Sequence, residues 1–176
     1  MTAGPFAIAP ATPADVPDLM RMIRALADYE RLAHLVVADE ERLADALFGA
    51  LPGPEALIAR AGGETGAAAG FALFFHTFST FLGRRGLWLE DLFVYPEHRG
   101  VGLGGRLLGE LAAVARARGC GRFEWAVLDW NTPAIGFYER MGATVLPDWR
   151  IARVTGEALE RFGSESPSDE TGSPPS

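Results

Sequence analysis

The order of strand-like and helix-like patterns predicts an α/β (α+β) fold, with a mixed central sheet and helices on both faces. Three observations support this prediction. The patterns run β-α-α-β-β-β-α-β-α-β-β, which gives about seven strands and about four helices. Turn signals join several strands as hairpins, whereas the last two helices follow strands as crossovers. The 176 residues, 48% of them apolar, suffice for a single core.

The first strand is the segment FAIAPA, residues 6–11, and two helices follow it. Thr12 is the predicted cap of the first helix, because Pro13 occupies the first position and Asp15 completes a T-x-x-D capping pattern. An apolar stripe at helical spacing runs through Leu19, Met22, Ile23 and Leu26. The second helix begins after Asp39. Next come the predicted strands EALIARA (55–61), AAAGFALFFHTF (67–78) and LWLEDLFVY (87–95), separated by the turns GGETG and LGRRG.

The last third of the ordered chain contains two β–α crossovers. A helix begins after Gly102 and ends at Gly119, and the strand FEWAVL (123–128) follows it. Asn131 or Thr132 caps the next helix, which Gly142 closes. The segments ATVL (143–146) and WRIARV (149–154) are predicted as the final strands. We therefore expect one domain over residues 1–162 and a disordered tail over residues 163–176, which are rich in Ser, Pro and acidic residues.

Composition excludes several classes of function. The net charge of −7 and the absence of a Lys/Arg cluster argue against a nucleic-acid partner. No apolar run approaches the roughly 20 residues of a membrane span, and the N-terminus lacks the basic region of a signal peptide. The single cysteine, Cys120, excludes an internal disulfide framework and a cysteine-rich metal site. We expect no bound metal, no membrane partner and a cytoplasmic location.

Four glycines lie in the segment HRGVGLGG, residues 98–105, at the start of a predicted helix. Backbone N–H groups at a helix start have no internal partners, so such a segment favours an anion such as phosphate. The spacing G-x-G-x-G-G in mid-chain disfavours a dinucleotide loop, and the missing Gly-Lys-Ser/Thr excludes a Walker loop. A glycine-rich β–α turn without a ligand stays open.

The surrounding sequence resembles a known superfamily. The string LEDLFVYPEHRGVGLGGRLL carries R-x-x-G-x-G (Arg99, Gly102, Gly104) and resembles the acetyl-CoA loop of the GNAT superfamily of N-acetyltransferases. Downstream, LDWNTPAIGFYERMGA resembles the same superfamily's Asn-x-Pro-Ala…Phe-Tyr…Gly-Ala helix. The segments LADYE, WLEDLFVYPEHRG and FEWAVLDWN resemble the diamine and thialysine branch, the spermidine/spermine N-acetyltransferase-like enzymes. The resemblance covers roughly residues 5–155.

This resemblance implies a GNAT fold and an acetyl-CoA-dependent N-acetyltransferase. The acceptor would be a primary amine of a small cationic molecule (a diamine, a polyamine or a thialysine-like compound) that attacks directly in a ternary complex. Another amine (an amino acid, a drug-like amine or a peptide N-terminus) and a non-catalytic acyl-CoA sensor stay open. The residues implied in acetyl-CoA binding are Leu92, Phe93, Val94, Arg99, Gly100, Val101, Gly102, Leu103, Gly104, Gly105, Asn131, Thr132, Pro133, Ala134 and Tyr138.

Two residues carry the catalytic prediction. Tyr138 matches the superfamily tyrosine assigned as general acid toward the departing thiolate, and packing of the helix is the alternative. Glu90 matches the carboxylate proposed as base in the polyamine branch, with an ammonium anchor or a solvated carboxylate as alternatives. In a regular strand Glu90 and Asp91 point to opposite faces. The resemblance implies a bulge in this strand, which can re-aim side chains.

Acidic and aromatic residues are the candidates on the acceptor side. Several carboxylates around a cleft suit an acceptor with two ammonium groups. The loop before WRIARV is shortened relative to the polyamine enzymes. The resemblance also implies a homodimer, in which the apolar run FALFFHTF is a candidate contact. The predicted acceptor-binding residues are Tyr29, Glu30, Glu90, Asp91, Glu124, Trp125 and Asp148.

Overall fold

The computed structural model describes residues 5–162 and confirms the α/β fold with a mixed sheet. The chain divides into two compact units, Met1–Ala134 and Ile135–Ser176. The strands are β1 (Phe6–Pro10), β2 (Glu55–Ala61), β3 (Ala67–Ser79), β4 (Arg84–Val94) and β5 (Arg122–Trp125). The helices are α1 (Val16–Tyr29), α2 (Glu40–Phe48), α3 (Leu103–Ala117), α4 (Thr132–Arg140) and α5 (Glu157–Arg161). The predicted tail lies outside the described residues.

The sheet of the first unit has the strand order β1-β2-β3-β4-β5. Strands β1 to β4 form an antiparallel meander, and β5 pairs parallel to β4 after the α3 crossover. The predicted combination of hairpins and a crossover is therefore confirmed in this unit.

Helices cover both faces of this sheet. On one face, Leu19 and Met22 of α1 and Leu47 of α2 are buried together with Phe71 and Phe93 of the sheet. On the other face, α3 packs against β3 and β4. Its buried leucines are Leu103, Leu107, Leu108 and Leu111. Burial of these apolar faces drives the layered packing.

The start of α1 is anchored by the predicted capping residues. A 3₁₀ turn, Pro13–Asp15, precedes the helix, and Asp15 accepts hydrogen bonds from the Thr12 backbone N–H (2.7 Å) and hydroxyl (2.8 Å). Asp15 also forms a buried ion pair with Arg60 of β2. Burial raises the pKa of the Asp15 carboxyl, but the bonds from Thr12 and Arg60 outweigh it and hold that pKa below its usual value. These contacts fix α1 to the sheet.

A bulge interrupts the pairing of β3 and β4. Leu73 pairs with Asp91 and Phe74 pairs with Leu89, so Glu90 is an extra residue in β4. The pairing of β5 with β4 ends at Leu89, directly before this bulge. The local twist that accompanies a bulge explains why β5 stops at Trp125, three residues earlier than predicted.

In the second unit, the two final strands predicted for residues 143–146 and 149–154 are absent, so the sheet in the described residues has five strands rather than seven. A turn at Pro147 and Asp148 separates the two segments, and proline has no N–H to donate to a ladder. The segments contain β-branched and aromatic residues, but neither pairs with a strand. Strand propensity alone does not form a strand without such pairing. A short helix, α5, follows them and was not predicted.

Candidate active site

The bulge brings Glu90 and Asp91 to one face of the sheet, contrary to the expectation for a regular strand. Asp91 pairs with Leu73 and shares its face. Trp88 pairs with Phe75, two residues along β3, and lies on that face as well. The Glu90 carboxylate accepts a 2.9 Å hydrogen bond from Trp88 Nε1. Both carboxylates therefore lie on the face that α1 and α2 cover.

Three acidic residues form a cluster at this point, Glu30, Glu90 and Asp91, which we call the carboxylate cluster. Burial raises the pKa of Asp91 to about 6, and the negative charges of Glu90 and Glu30 contribute. Burial also raises the pKa of Glu30, which follows the last residue of α1. A site with two partly desolvated carboxylates and a third, exposed one attracts a cation, which would relieve their repulsion.

An open groove of about 470 Å³ adjoins the cluster. Its lining is mainly apolar, with Glu90 among the few polar groups. The groove residues are Gly53, Pro54, Leu73, Phe75, His76 and Glu90. A mainly apolar groove with a carboxylate at its wall suits a small molecule that has a methylene chain and a charged end.

Within residues 5–162, the edge of β4 beyond Leu89 has no strand neighbour on the side of β5. Leu92 and Phe93 pair only with β3, and the β5 ladder covers only Gly86 to Leu89. This edge contains the predicted backbone partners Leu92, Phe93 and Val94. Backbone groups on an open edge are available to a peptide-like chain, and the pantetheine arm of coenzyme A contains two amide groups. The edge fits the role that the resemblance implies.

The glycine segment has the backbone geometry of an anion site. Gly100 and Gly102 have φ values of 78° and 81°, which L side chains rarely adopt, and open space lies where their Cβ atoms would be. Helix α3 begins at Leu103, so the N–H groups of its first turn, including those of Gly104 and Gly105, have no partners inside the helix. These residues fit a diphosphate.

Arg99, predicted to assist phosphate binding, already has one backbone contact. Its Nε donates to the carbonyl of Val94 at 2.8 Å, and its guanidinium lies 5.2 Å from the centroid of the Tyr29 ring. Within residues 5–162 its two terminal nitrogens have no hydrogen-bond partner, so they can reach an anion. Val101, also implied in cofactor binding, is exposed in the same loop.

Asn131 joins the beginning of α4 to the end of α1. Its side chain is buried, and its Oδ1 accepts hydrogen bonds from the Ala134 N–H and the Tyr29 hydroxyl, both at 3.3 Å. Asn131 is therefore a helix cap, one of its two predicted roles. Thr132 and Pro133 occupy the first positions of α4, as expected.

Tyr138 and Asp148 belong to the second unit. The Tyr138 ring is half-buried, with its centroid 5.3 Å from that of Phe137, and its carbonyl accepts from the N–H groups of Met141 and Ala143. Asp148 is exposed in the turn after Pro147. The catalytic role of Tyr138 and the acceptor contact of Asp148 stay predictions.

Other predicted acceptor residues have local partners. Glu124 forms an ion pair with Arg122 on the same strand, N–O distance 2.7 Å. Trp125 contacts Phe123 edge to face at 5.0 Å. Because Arg122 neutralises Glu124, this carboxylate contributes less to attracting a cation than the members of the carboxylate cluster.

Two residues that contact the site were missed from the sequence. Trp88 precedes Glu90 by two positions, a spacing that places both side chains on one face of a strand, and its Nε1 orients the carboxylate. Trp130 lies before the α4 cap, and its ring centroid is 6.4 Å from that of Tyr29. In the sequence, its position next to Asn131 was the signal that could have identified it as a site residue.

Within residues 5–162, no group of three His, Cys, Asp or Glu residues is arranged to hold a metal ion. No helix in this part of the chain has the length and apolar character needed to span a bilayer.

Comparison with known proteins supports the resemblance. The sequence pattern of the acetyltransferase (GNAT) family matches residues 19–143. The chain is 39% identical to thialysine N-epsilon-acetyltransferase of Mus musculus, over 86% of this chain and 94% of the relative. It is 36% identical to L-ornithine N5-acetyltransferase of Arabidopsis thaliana, over 85% of this chain and 84% of the relative. The predicted similarity to the thialysine branch is therefore confirmed.

The fold is also found among solved structures. An integron cassette protein from the mobile metagenome of V. cholerae superposes with a TM-score of 0.76 at 24% identity, covering 93% of this chain and all of that protein. Such a level of identity supports the fold alone. The family match over residues 19–143, with relatives at 36% and 39% identity, shows that this chain belongs to the acetyltransferase (GNAT) family.

Proposed function

We propose that the protein transfers the acetyl group of acetyl-CoA to a primary amine of a small cationic acceptor, by direct attack in a ternary complex. The observation that carries this proposal is the carboxylate cluster at the β4 bulge, beside an apolar groove. The relatives named above act on ornithine and thialysine, each of which carries two amines. Two ammonium groups match a site with several carboxylates, because one can be anchored while the other reacts.

Bound acetyl-CoA supplies an activated thioester carbonyl. The open edge of β4 and the first turn of α3 are the parts of the chain that would hold it, through the backbone groups of Leu92 to Val94 and of Gly102 to Gly105. Backbone N–H groups at this edge also stabilise negative charge on an acyl oxygen. Arg99 adds a cation beside the loop.

The acceptor must lose a proton before it attacks, because an alkylamine with a pKa near 10 is mostly ammonium at neutral pH. Glu90 is the base in this proposal, directly or through water, and Trp88 Nε1 holds its carboxylate in place. The negative charges of Asp91 and Glu30 hold the cationic acceptor close to Glu90. Tyr138 donates a proton to the departing thiolate.

The remaining expectations belong to the same proposal. Residues 1–162 form one enzyme domain, the protein is a cytoplasmic homodimer, and its acceptor is a small molecule rather than a nucleic acid. The groove volume of about 470 Å³ is in the range of small-molecule sites, which supports a small acceptor.

A panel of amines assayed by release of free thiol from acetyl-CoA tests this function. Putrescine and butylamine are a matched pair, since they share the chain and differ in the second ammonium group. We expect kcat/KM for putrescine to exceed that for butylamine at least about 10-fold, the effect of one charge-assisted contact. Spermidine, ornithine, lysine and thialysine extend the dicationic set, and tyramine extends the monocationic one.

Two results would contradict the proposal. Equal or faster turnover of butylamine would show that the carboxylate cluster does not select the acceptor. Binding of acetyl-CoA without thiol release for any amine would favour an acyl-CoA sensor.

A further inference from the structure

The end of α1 places two opposite charges side by side, Glu30 and Arg31. Helix α1 ends with hydrogen bonds from Arg31 N–H to Asp28 O (3.1 Å) and from Leu32 N–H to Ala27 O (2.8 Å). This pattern requires a left-handed residue, usually glycine, and Arg31 fills it with φ 62°. Among residues 5–162 it is the only non-glycine residue with positive φ. Such positions concentrate at functional sites, so the retained side chain calls for an explanation.

The left-handed turn directs the two charges to different places. The Glu30 carboxylate acts on Asp91 within the carboxylate cluster. The Arg31 guanidinium instead lies 5.9 Å from the centroid of the Trp130 ring. Trp130 is 48% exposed and its ring neighbours that of Tyr29, so the guanidinium lies on an accessible surface beside a predicted acceptor residue. No carboxylate in the described part of the chain forms an ion pair with Arg31.

We propose that Arg31 binds the α-carboxylate of an amino-acid acceptor whose side-chain amine is received by the carboxylate cluster. This contact favours a diamino acid, the acceptor type of the ornithine and thialysine enzymes named above, over a plain diamine. This inference rests on the proposed function and adds the group that determines its specificity.

Electrostatics supports this assignment. The carboxylate cluster attracts both ammonium groups of a diamino acid but repels its α-carboxylate. An acceptor of this class therefore needs a cation close to the cluster, and Arg31 follows Glu30 in the chain with its guanidinium over the Trp130 ring. The planar guanidinium can bind a carboxylate through two parallel hydrogen bonds. Contact with the Trp130 face restrains the guanidinium, which reduces the entropy lost on binding.

Two pairs of acceptors isolate the carboxylate. Putrescine is ornithine without its carboxyl group, and cadaverine is lysine without it. For the wild type we expect a larger kcat/KM for each amino acid than for its decarboxylated partner. Arg31→Gln should lower the ornithine-to-putrescine ratio of kcat/KM by about 10- to 100-fold, the range for one charged hydrogen-bonded contact. Arg31→Lys keeps the charge but cannot form two parallel hydrogen bonds. Its ornithine-to-putrescine ratio should lie between those of the wild type and Arg31→Gln.

Arg24→Gln is the matched control, because it removes an equal charge from an exposed position of α1, the helix that Arg31 follows. Its ratio should equal that of the wild type. A ratio for Arg31→Gln equal to that of Arg24→Gln would overturn the inference, as would an equal loss for all four acceptors. Wild-type preference for putrescine over ornithine would overturn it while leaving the proposed function intact. Absence of turnover with every acceptor would instead contradict the proposed function. Arg31→Lys keeps the test decisive if Arg31→Gln does not fold.

Discussion

Replacing Tyr138 with phenylalanine is expected to lower kcat by about 10²-fold while KM for the amine changes little. The phenol is the donor that we assign to the departing thiolate, and loss of a positioned general acid costs about two orders of magnitude or more. Phenylalanine keeps the ring and its contact with Phe137, whose centroid lies 5.3 Å away. The measurement is steady-state release of free thiol at saturating acetyl-CoA and acceptor.

Tyr95→Phe is the control for this prediction. Tyr95 follows β4 and packs edge to face on Phe93 at 5.2 Å, and no catalytic role is assigned to its hydroxyl. Its kcat should match the wild type. If Tyr138→Phe retains full kcat, and added viscogen shows that product release does not limit the rate, the acid is not Tyr138.

Replacing Glu90 with glutamine is expected to lower kcat by about 10²-fold and to move the pH optimum upward. Without the base, turnover depends on the fraction of acceptor that is already neutral, and this fraction rises toward the amine pKa near 10. Glutamine preserves the length of the side chain and can still accept a hydrogen bond from Trp88. An unchanged pH profile together with a raised KM would reduce Glu90 to an ammonium anchor.

Asp91→Asn, the substitution at the neighbouring carboxylate, is expected to change the free energy of unfolding in a pH-dependent way. Because burial raises the Asp91 pKa to about 6, the folded protein holds this proton more tightly than the unfolded chain does. Ionisation of Asp91 therefore costs stability as pH rises from about 4 to about 6. Asparagine removes that cost, and we expect the free energy of unfolding to increase by about 3 kcal/mol at pH 8 and to change little below about pH 3. Urea unfolding at the two pH values checks the sign.

Activity of Asp91→Asn should change in the opposite direction from its stability. Loss of one member of the carboxylate cluster weakens the attraction for a dicationic acceptor, so KM rises. A gain in stability with a loss in acceptor affinity is the pattern of a residue retained for binding rather than folding. Unchanged KM for putrescine would exclude Asp91 from the acceptor site.

Much of the first unit could be predicted from sequence because local signals agree with the packing. Strand β2, Glu55–Ala61, coincides with the segment EALIARA at both ends, since Pro54 and the turn GGETG bound it. Helix α3 begins at Leu103, as Gly102 indicates. The order of the two motifs, Arg99-x-x-Gly-x-Gly and the later Phe-Tyr helix, carried the family assignment.

The site itself depended on features that local sequence does not encode. Glu90 and Asp91 are both acidic, so the alternation of polar and apolar residues does not show which of them is the extra residue of the bulge. Arg31 adopts a conformation that normally favours glycine, so composition predicts no left-handed turn there. Pairing with β3 determines the bulge, and the C-terminal hydrogen bonds of α1 determine the turn at Arg31.

The C-terminal strands show the limit of propensity. The segment WRIARV has the composition of a strand, yet residues 149–154 pair with no strand in the structure. A strand requires a neighbour for its backbone groups, and sequence patterns report the propensity without identifying that neighbour.

A crystal structure with bound coenzyme A shows whether the first turn of α3 and the open edge of β4 bind acetyl-CoA. We predict that the diphosphate accepts hydrogen bonds from the backbone N–H groups of residues 102–105, with the pantetheine amides along β4 beyond Leu89. A diphosphate bound elsewhere at saturating coenzyme A would contradict the account.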